Sequence, residues 1–306
     1  MMDVIALLDS LCLRAGACRW GVADAAPVDA SDAALYDAWT ARGAHGCMAY
    51  MERYADIRRD PRLLLEGARS VVVCAFSYRQ PVHSAHISDY ALGADYHGAL
   101  RERMEGVATG LREALGGATR VCVDSAPLRE RYWAVRAGVG GTGLSGRLIV
   151  PGAGADVMLA ELITTAALPP SQPLGRSVCD GCRACVRSCP AGALDGSGGV
   201  DARRCLSCLT IEHRGELPEG TDLHGRLVGC DVCSAVCPAS RREAAQGCSD
   251  VIDELRARPE VLALTPADAA AMTRGRFKAL FARSAVMRLR LDGLRRNAFH
   301  ILNNNS

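Results

Sequence analysis

The sequence predicts an α+β protein in three parts, and three observations carry that prediction. Short apolar, β-branched runs alternate with helical periodicity as far as about residue 165. A proline-rich connector, LPPSQPLGRS over residues 168–177, then opens a stretch dense in cysteine. Beyond it, residues 250–303 carry only helical periodicity. The parts are drawn at 1–170, 171–245 and 246–306.

The elements follow in chain order. Residues 3–15 interleave Asp3, Asp9 and Arg14 with apolar positions, which makes an amphipathic helix and not a secretory signal. Ala68–Tyr78 (ARSVVVCAFSY) is apolar and β-branched, hence a buried strand. Gly98–Leu115 has helical periodicity with Arg/Glu pairs three or four apart. Arg120–Asp124 (RVCVD) is a second buried strand ending on an acid, and Arg129–Ala137 a short helix. The glycine-rich stretch Gly138–Gly146 leads to a strand at Leu148–Val150 and a helix at Val157–Thr165.

Composition excludes several classes. Of 306 residues 49 % are hydrophobic, enough for a large core, and a net charge of +2 demands no strongly charged partner. No apolar run reaches the roughly 18 residues of a membrane span. Fifteen cysteines in so long a chain without a signal point to metal ligands in a reducing cytoplasm, not to a disulfide scaffold.

Their spacing sharpens this. Cys179-x2-Cys182-x2-Cys185-x3-Cys189-Pro190 is the bacterial 4Fe–4S signature, and Cys230-x2-Cys233-x3-Cys237-Pro238 is a second, partial copy. Residues 171–245 are therefore expected to form a ferredoxin-like module with two 4Fe–4S clusters. In the two-cluster pattern the last cysteine of each motif crosses over. One cluster takes Cys179, Cys182, Cys185 and Cys237; the other takes Cys189, Cys230, Cys233 and either Cys205 or Cys208. Cys12, Cys18, Cys47, Cys74, Cys122 and Cys248 are isolated in sequence and read as small buried or surface thiols.

Gly138-Val-Gly140-Gly-Thr-Gly143 satisfies G-x-G-x-x-G, but a dinucleotide site needs a strand before it and a helix after it. Here a helix precedes and a strand follows, so a nucleotide site is rejected. Between Arg274 and Arg296 stand eight basic residues and one acid, Asp292, a pattern suited to tracking phosphates.

The surroundings of the cysteines carry a family resemblance. They are Val200-Asp-Ala-Arg-Arg-Cys205-Leu-Ser207-Cys-Leu-Thr210 and Gly229-Cys-Asp-Val-Cys-Ser-Ala-Val-Cys-Pro238. With them go Arg42-Gly-Ala-His-Gly46, Arg59-Asp-Pro-Arg62, Asp95-Tyr96-His97, Val123-Asp124-Ser-Ala-Pro127, Arg136-Ala-Gly-Val-Gly140 and Arg295-Arg-Asn297. Over nearly its whole length the chain resembles the epoxyqueuosine reductases, cobalamin-dependent enzymes that complete queuosine in tRNA.

The resemblance implies residues 1–170 as an α/β cobalamin-binding domain and the removal of an epoxide oxygen at the wobble nucleoside. It makes Cys205 the eighth cluster ligand, since a tyrosine is common at position 208, and Asp124 the proton donor. Partial burial at a strand end is expected to raise the Asp124 carboxyl pKa; Glu130 is the second choice of acid, read more simply as a surface ion-pair partner. Arg59, Tyr96, His97, Ser207 and Thr210 are implied contacts of the corrinoid. Asp95-Tyr-His97 and Asp222-Leu-His224 begin the D-x-H-x-x-G pattern of a cobalt-ligating histidine, yet Leu100 and Leu227 replace its glycine, in line with a family that offers cobalt no protein ligand. The expected partners are tRNA and an external low-potential electron donor, the expected state a monomer. Relatives carry an aromatic residue and a G-K-N triplet in the glycine loop, where this chain has Gly141, Leu144 and Ser145. The chain reads as a short form without C-terminal helical repeats, and weaker, salt-sensitive tRNA binding is expected of it. The alternative is a corrinoid and iron–sulfur reductase of the same architecture acting on a small molecule.

Overall fold

The computed structural model describes residues 3–174, 177–246 and 250–304; Cys248 lies outside them. The N-terminal part runs α1 (Val4–Arg14), β1 (Arg19–Asp24), α2 (Ala30–Ala41), α3 (Ala55–Arg59), β2 (Ser70–Ser77), α4 (Tyr96–Leu115), β3 (Thr119–Cys122), α5 (Glu130–Arg136), β4 (Gly141–Thr142), β5 (Leu148–Ile149) and β6 (Val157–Thr164). Asp3 caps α1 by accepting from the Ile5 and Ala6 N–H groups, and Leu8, Leu11 and Cys12 form its buried face.

The main sheet has the order β1–β2–β6–β3 and is antiparallel at every pairing. Its two faces are covered separately. Val72, Cys74 and Phe76 of β2 meet α1 and α4 through Leu8, Leu100, Met104 and Leu111. Val71, Val73 and Ala75 meet α5 through Trp133, Ala134 and Ala137. Every residue of β2 is therefore buried, and each large apolar side chain contributes roughly 1.5–3 kcal/mol. Gly21 lets β1 lie against the end of α5: a Cβ there would stand 1.9 Å from the Ala137 carbonyl oxygen.

Residues 157–165 depart from the predicted helix and form β6, the strand at the heart of the sheet. All eight of its residues pair with β2, from Ser70 opposite Thr164 to Ser77 opposite Val157. A run apolar on both faces has no period that separates strand from helix, and its neighbours on either side decide. The strand at 120–124 ends earlier than expected, at Cys122, leaving Asp124 in the turn beyond. β1 and α2 were not among the predicted elements.

Glu161 sits in the middle of β6, opposite Val73 and Cys122, fully buried and with no hydrogen bond to either carboxyl oxygen. Burial first, and the nearby Glu130 and Asp124 charges second, hold its pKa well above the ordinary value of 4.5. A raised carboxyl favours the fold at pH below that value and loses the advantage as pH rises, because only the unfolded chain then ionises freely. Glu161→Gln is thus expected to exceed the native chain by about 1–3 kcal/mol at pH 8 and to match it below about pH 4, read as urea midpoints.

The second half runs α6 (Ala184–Ser188), α7 (Leu206–Ile211), α8 (Val232–Ala235), α9 (Pro238–Gln246), α10 (Pro259–Leu262), α11 (Pro266–Ala270), α12 (Arg274–Phe281) and α13 (Arg290–Asn304). Its apolar clusters cross both boundaries drawn from sequence. Ile87 and Leu92 join Leu206, Leu227, Phe281 and Leu294, while Ile252 and Leu255 join the face of α1 and α4. α13 clamps the cysteine segment: Asn297 Nδ2 donates to the Thr210 and Leu227 carbonyls at 3.0 and 2.8 Å, and Arg296 to those of His213, Gly215 and Leu209. Two of the eight basic residues are therefore turned inward, since Arg295 also donates to the Met272 carbonyl. Arg274, Lys278, Arg283 and Arg290 stay exposed. Among the described residues no helix is long and apolar enough to cross a membrane.

Candidate active site

Asp95 caps α4, accepting from the His97 N–H at 3.0 Å. This puts Tyr96 and His97 in the first turn of a 20-residue helix, their rings stacked at 4.1 Å. The chain leaving β3 turns at Asp124, whose φ of +52° is left-handed, a conformation that aspartate tolerates better than most residues. The turn is held by the Asp124 N–H donating to Glu130 Oε1 at 2.6 Å. It aims the Asp124 carboxylate at the helix end: Oδ2 accepts from the Tyr96 hydroxyl at 2.6 Å and lies 3.0 Å from His97 Nε2. His97 Nδ1 lies 2.7 Å from Asp95 Oδ1, which completes an Asp95–His97–Asp124 row. The Asp124 side chain keeps 52 % of its surface exposed, so the row is open to solvent.

The charges in this row are set by their neighbours. Burial alone would push His97 down, but its bonds to Asp124 and Asp95 outweigh that and raise it to about 9. Both ring nitrogens face carboxylates, which requires the imidazolium. Desolvation pushes Asp124 up, yet the His97 and Tyr96 hydrogen bonds and the His97 charge more than offset it, so its carboxyl lies below the ordinary range. The expected upward shift is thus reversed: strand-end burial is real, but its effect is smaller than that of two donors and a cation. Glu130 shows the behaviour expected of Asp124. Burial first and the Asp124 charge second raise it to about 8, and it is a partly buried wall residue and no surface ion pair.

An aromatic row continues from the site through Tyr96, Tyr90 and Tyr78, edge to face at 6.0 and 6.3 Å. Near Asp124 and Tyr90 stands Arg288, bidentate to Glu212 at 2.7 and 2.6 Å, with its guanidinium 5.5 Å from the Tyr50 ring centroid. Burial, then the Glu212 charge, push Tyr50 up to about 12. This wall was not singled out from sequence, because Tyr50, Glu212 and Arg288 are far apart in the chain. Asp95 was legible only as the start of an abortive D-x-H pattern. Thr210 is fully buried, with its hydroxyl donating to Leu206 O at 2.7 Å and accepting from the Gly229 N–H at 2.9 Å. Ser207 is partly exposed on the same helix. Arg59 is held by Asp37 at 2.6 Å and Asp56 at 3.9 Å, and makes no hydrogen bond or ion pair to the Asp95–Asp124 row.

The cysteines divide into sets. Cys179, Cys182, Cys185 and Cys237 line one pocket with Gly143, Leu144 and Ile149. The glycine loop is part of its wall, with the Cβ position of Gly143 3.8 Å from Cys179 Sγ. It runs from the end of α5 into β4, the wrong order for a dinucleotide site. Cys205 caps α7. Its sulfur is close enough to Cys230 and Cys233 to add to the burial that raises both thiols, Cys233 to about 11. Cys189 Sγ accepts from the Ala193 N–H. Cys208 points elsewhere, to Cys47, with the two sulfurs 3.7 Å apart. Nor are Cys12 and Cys74 isolated, since their sulfurs lie 3.5 Å apart in the core.

Comparison with known proteins places these features. A family profile described as epoxyqueuosine reductase QueG, DUF1730, matches residues 58–125, and one described as a 4Fe-4S double cluster binding domain matches 178–240. The epoxyqueuosine reductase of Cyclobacterium marinum is 34 % identical over 300 residues, covering 92 % of each chain. The crystal structure of an epoxyqueuosine reductase with an epoxyqueuosine-modified tRNA-Tyr stem loop superposes with a TM-score of 0.87 at 28 % identity, covering 98 % of this chain and 82 % of that one. The Bacillus subtilis enzyme, solved with its catalytic aspartate loop swung out of the active site, superposes at 0.85 with 27 % identity, over 98 % and 82 % of the two chains.

Proposed function

The chain belongs to the epoxyqueuosine reductase family, and from that premise we propose that it reduces epoxyqueuosine to queuosine at the wobble position of tRNA. The reaction replaces an epoxide by an alkene and water and consumes two electrons and two protons. The observation that carries this reading is the Asp124 carboxylate, held between Tyr96 and His97 on a left-handed turn and open to solvent.

The residues fit the groups that the reaction needs. Four sulfurs around one pocket suit a 4Fe–4S cluster, and the Cys205, Cys230, Cys233 and Cys189 set suits a second. Near the proton row, the Tyr96 and Tyr50 rings and the polar Asp124 and Arg288 side chains offer the apolar and hydrogen-bonding surface that a flat corrin edged with amides needs. His97 is committed on both nitrogens, so its imidazole does not compete for cobalt. When bound, cobalamin supplies the strong reductant and the clusters feed it electrons singly. Cys182 of the first set is exposed, so a cluster held there would be the one an external low-potential donor could reach, and a cluster held by the second set would lie beside α7.

The chain's own residues handle the proton. Asp124 faces substrate, and His97, charged and backed by Asp95, stores the proton that Asp124 relays to the opening epoxide oxygen. A raised histidine is charged below its folded pKa and neutral above it. Turnover is therefore expected to hold through neutral pH and to fall as pH rises through about 9, the range of His97. A pH–rate profile of His97→Gln should lose the limb near 9 and run about 10²-fold slower at neutrality. The same pairing stabilises the fold below the ordinary histidine value of 6.5 and is lost as pH climbs through about 9.

The reading is tested by loading the protein with both clusters and cobalamin under anaerobic conditions. Reductant and tRNA carrying the epoxide are added, and the digested nucleosides are analysed by mass spectrometry. Queuosine is the expected product. Unchanged epoxyqueuosine from fully loaded protein would overturn the reading.

A further inference from the structure

Cys47 and Cys208 stand outside both cluster sets and outside the proton row. Their sulfurs are 3.7 Å apart although the residues are separated by 161 positions. Closure to the roughly 2.05 Å of a disulfide needs a relative movement of about 1.7 Å. The surroundings already hold the two segments together. The Ala202 N–H donates to the Ala44 carbonyl at 2.7 Å, and Trp39 Nε1 to that of Val200 at 2.7 Å. A Cβ at Gly46 would lie 3.2 Å from the Arg203 nitrogen, so the turn before Cys47 rests on the segment before Cys205. The two thiols also differ in access: Cys47 is exposed, while Cys208 is 7 % exposed behind it.

We propose that Cys47 and Cys208 are a redox modification site, which small-molecule disulfides such as oxidised glutathione convert reversibly to an intramolecular disulfide. Exposed Cys47 attacks as the thiolate, forming a mixed disulfide and releasing one glutathione thiolate. Cys208 then attacks the Cys47 sulfur, breaks its bond to glutathione and passes its proton to the second glutathione thiolate as that leaves. Two protein thiols are oxidised, one disulfide is reduced to two thiols, and the electrons balance. Cys205 keeps its place in the second cluster set throughout, because the reaction uses only the thiol that faces away from it. The closed form ties the turn after α2 to α7, the junction between the N-terminal sheet and the cysteine segment.

The test uses the full, cluster-loaded chain. It is exposed anaerobically to oxidised glutathione, quenched with N-ethylmaleimide, digested and analysed by mass spectrometry. The expected result is a peptide pair joined through Cys47 and Cys208, the loss of two alkylatable thiols per chain, unchanged iron content, and full reversal by dithiothreitol. Cys47→Ser should abolish the pair and leave iron unaltered. Because the oxidised chain gains a covalent tie between distant segments, its apparent Tm should rise by at least about 5 °C. Independent alkylation of both cysteines after oxidation overturns the proposal. So does glutathione retained on Cys47 without displacement, and so does loss of iron in Cys208→Ser, which would assign that thiol to a cluster. None of these readouts depends on the substrate reading above.

Discussion

Asp124→Asn is expected to lower turnover by about 10²–10⁴-fold with both clusters in place, the range that a positioned acid contributes. The amide keeps the shape of the side chain and, like aspartate, tolerates the left-handed φ of +52°. The turn and its bond to Glu130 use the backbone N–H and therefore persist. What disappears is a group that can accept a proton from His97 and pass it on. His97 also loses the largest of the influences that raise it, so the residual activity should have its alkaline limb at lower pH than the native enzyme. Single-turnover rates on tRNA carrying the epoxide, normalised to iron and cobalamin content, are the measurement. Native rates from such a preparation would remove Asp124 from the relay and leave Tyr96 and His97 to be tested in turn.

Cys205→Ser is expected to reduce iron from about eight to about four atoms per chain and to abolish turnover, since the electron path is cut at the cluster beside α7. Cys208→Ser should keep the full complement. Both cysteines flank Ser207 and either meets the chemical demand for a thiolate, so the difference rests on direction alone. Cys205 caps α7 on the side of Cys230 and Cys233, and Cys208, one turn on, faces Cys47. Iron analysis with EPR of the reduced protein separates the cases. Full iron in Cys205→Ser with loss in Cys208→Ser would exchange the two assignments.

Much of the fold was legible locally. The amphipathic period of α1 and α4, the β-branched run of β2 and the short α5 each report their own burial pattern. β6 was misread as a helix because its apolar residues serve two faces at once, and only its pairing with β2 makes it a strand. β1 was missed because RWGVAD owes its place to β2 on one side and to the Gly21 contact with Ala137 on the other. The basic stretch at the C-terminus looked like one charged face. Arg295 and Arg296 are instead spent on carbonyls of the core, and that follows from where α13 docks, not from its composition.

The site divides along the same line. Thiolate spacing with proline after the last cysteine pointed by itself to seven of the expected cluster ligands, because wrapping a cubane is a local geometric demand on a few consecutive residues; the eighth, Cys205 or Cys208, it left open. The Asp95 cap that places Tyr96 and His97 came only from the structure, since the periodicity in the sequence starts that helix at Gly98. Charge state, by contrast, was decided by the tertiary structure alone. Asp124 is low and Glu130 high, the reverse of the expectation, because a carboxyl's proton affinity depends on which donors and charges from distant segments reach it. The partnership of Cys47 with Cys208 is of the same kind: nothing in either residue's neighbourhood along the chain announces it, and it exists only because the turn after α2 comes to rest on α7.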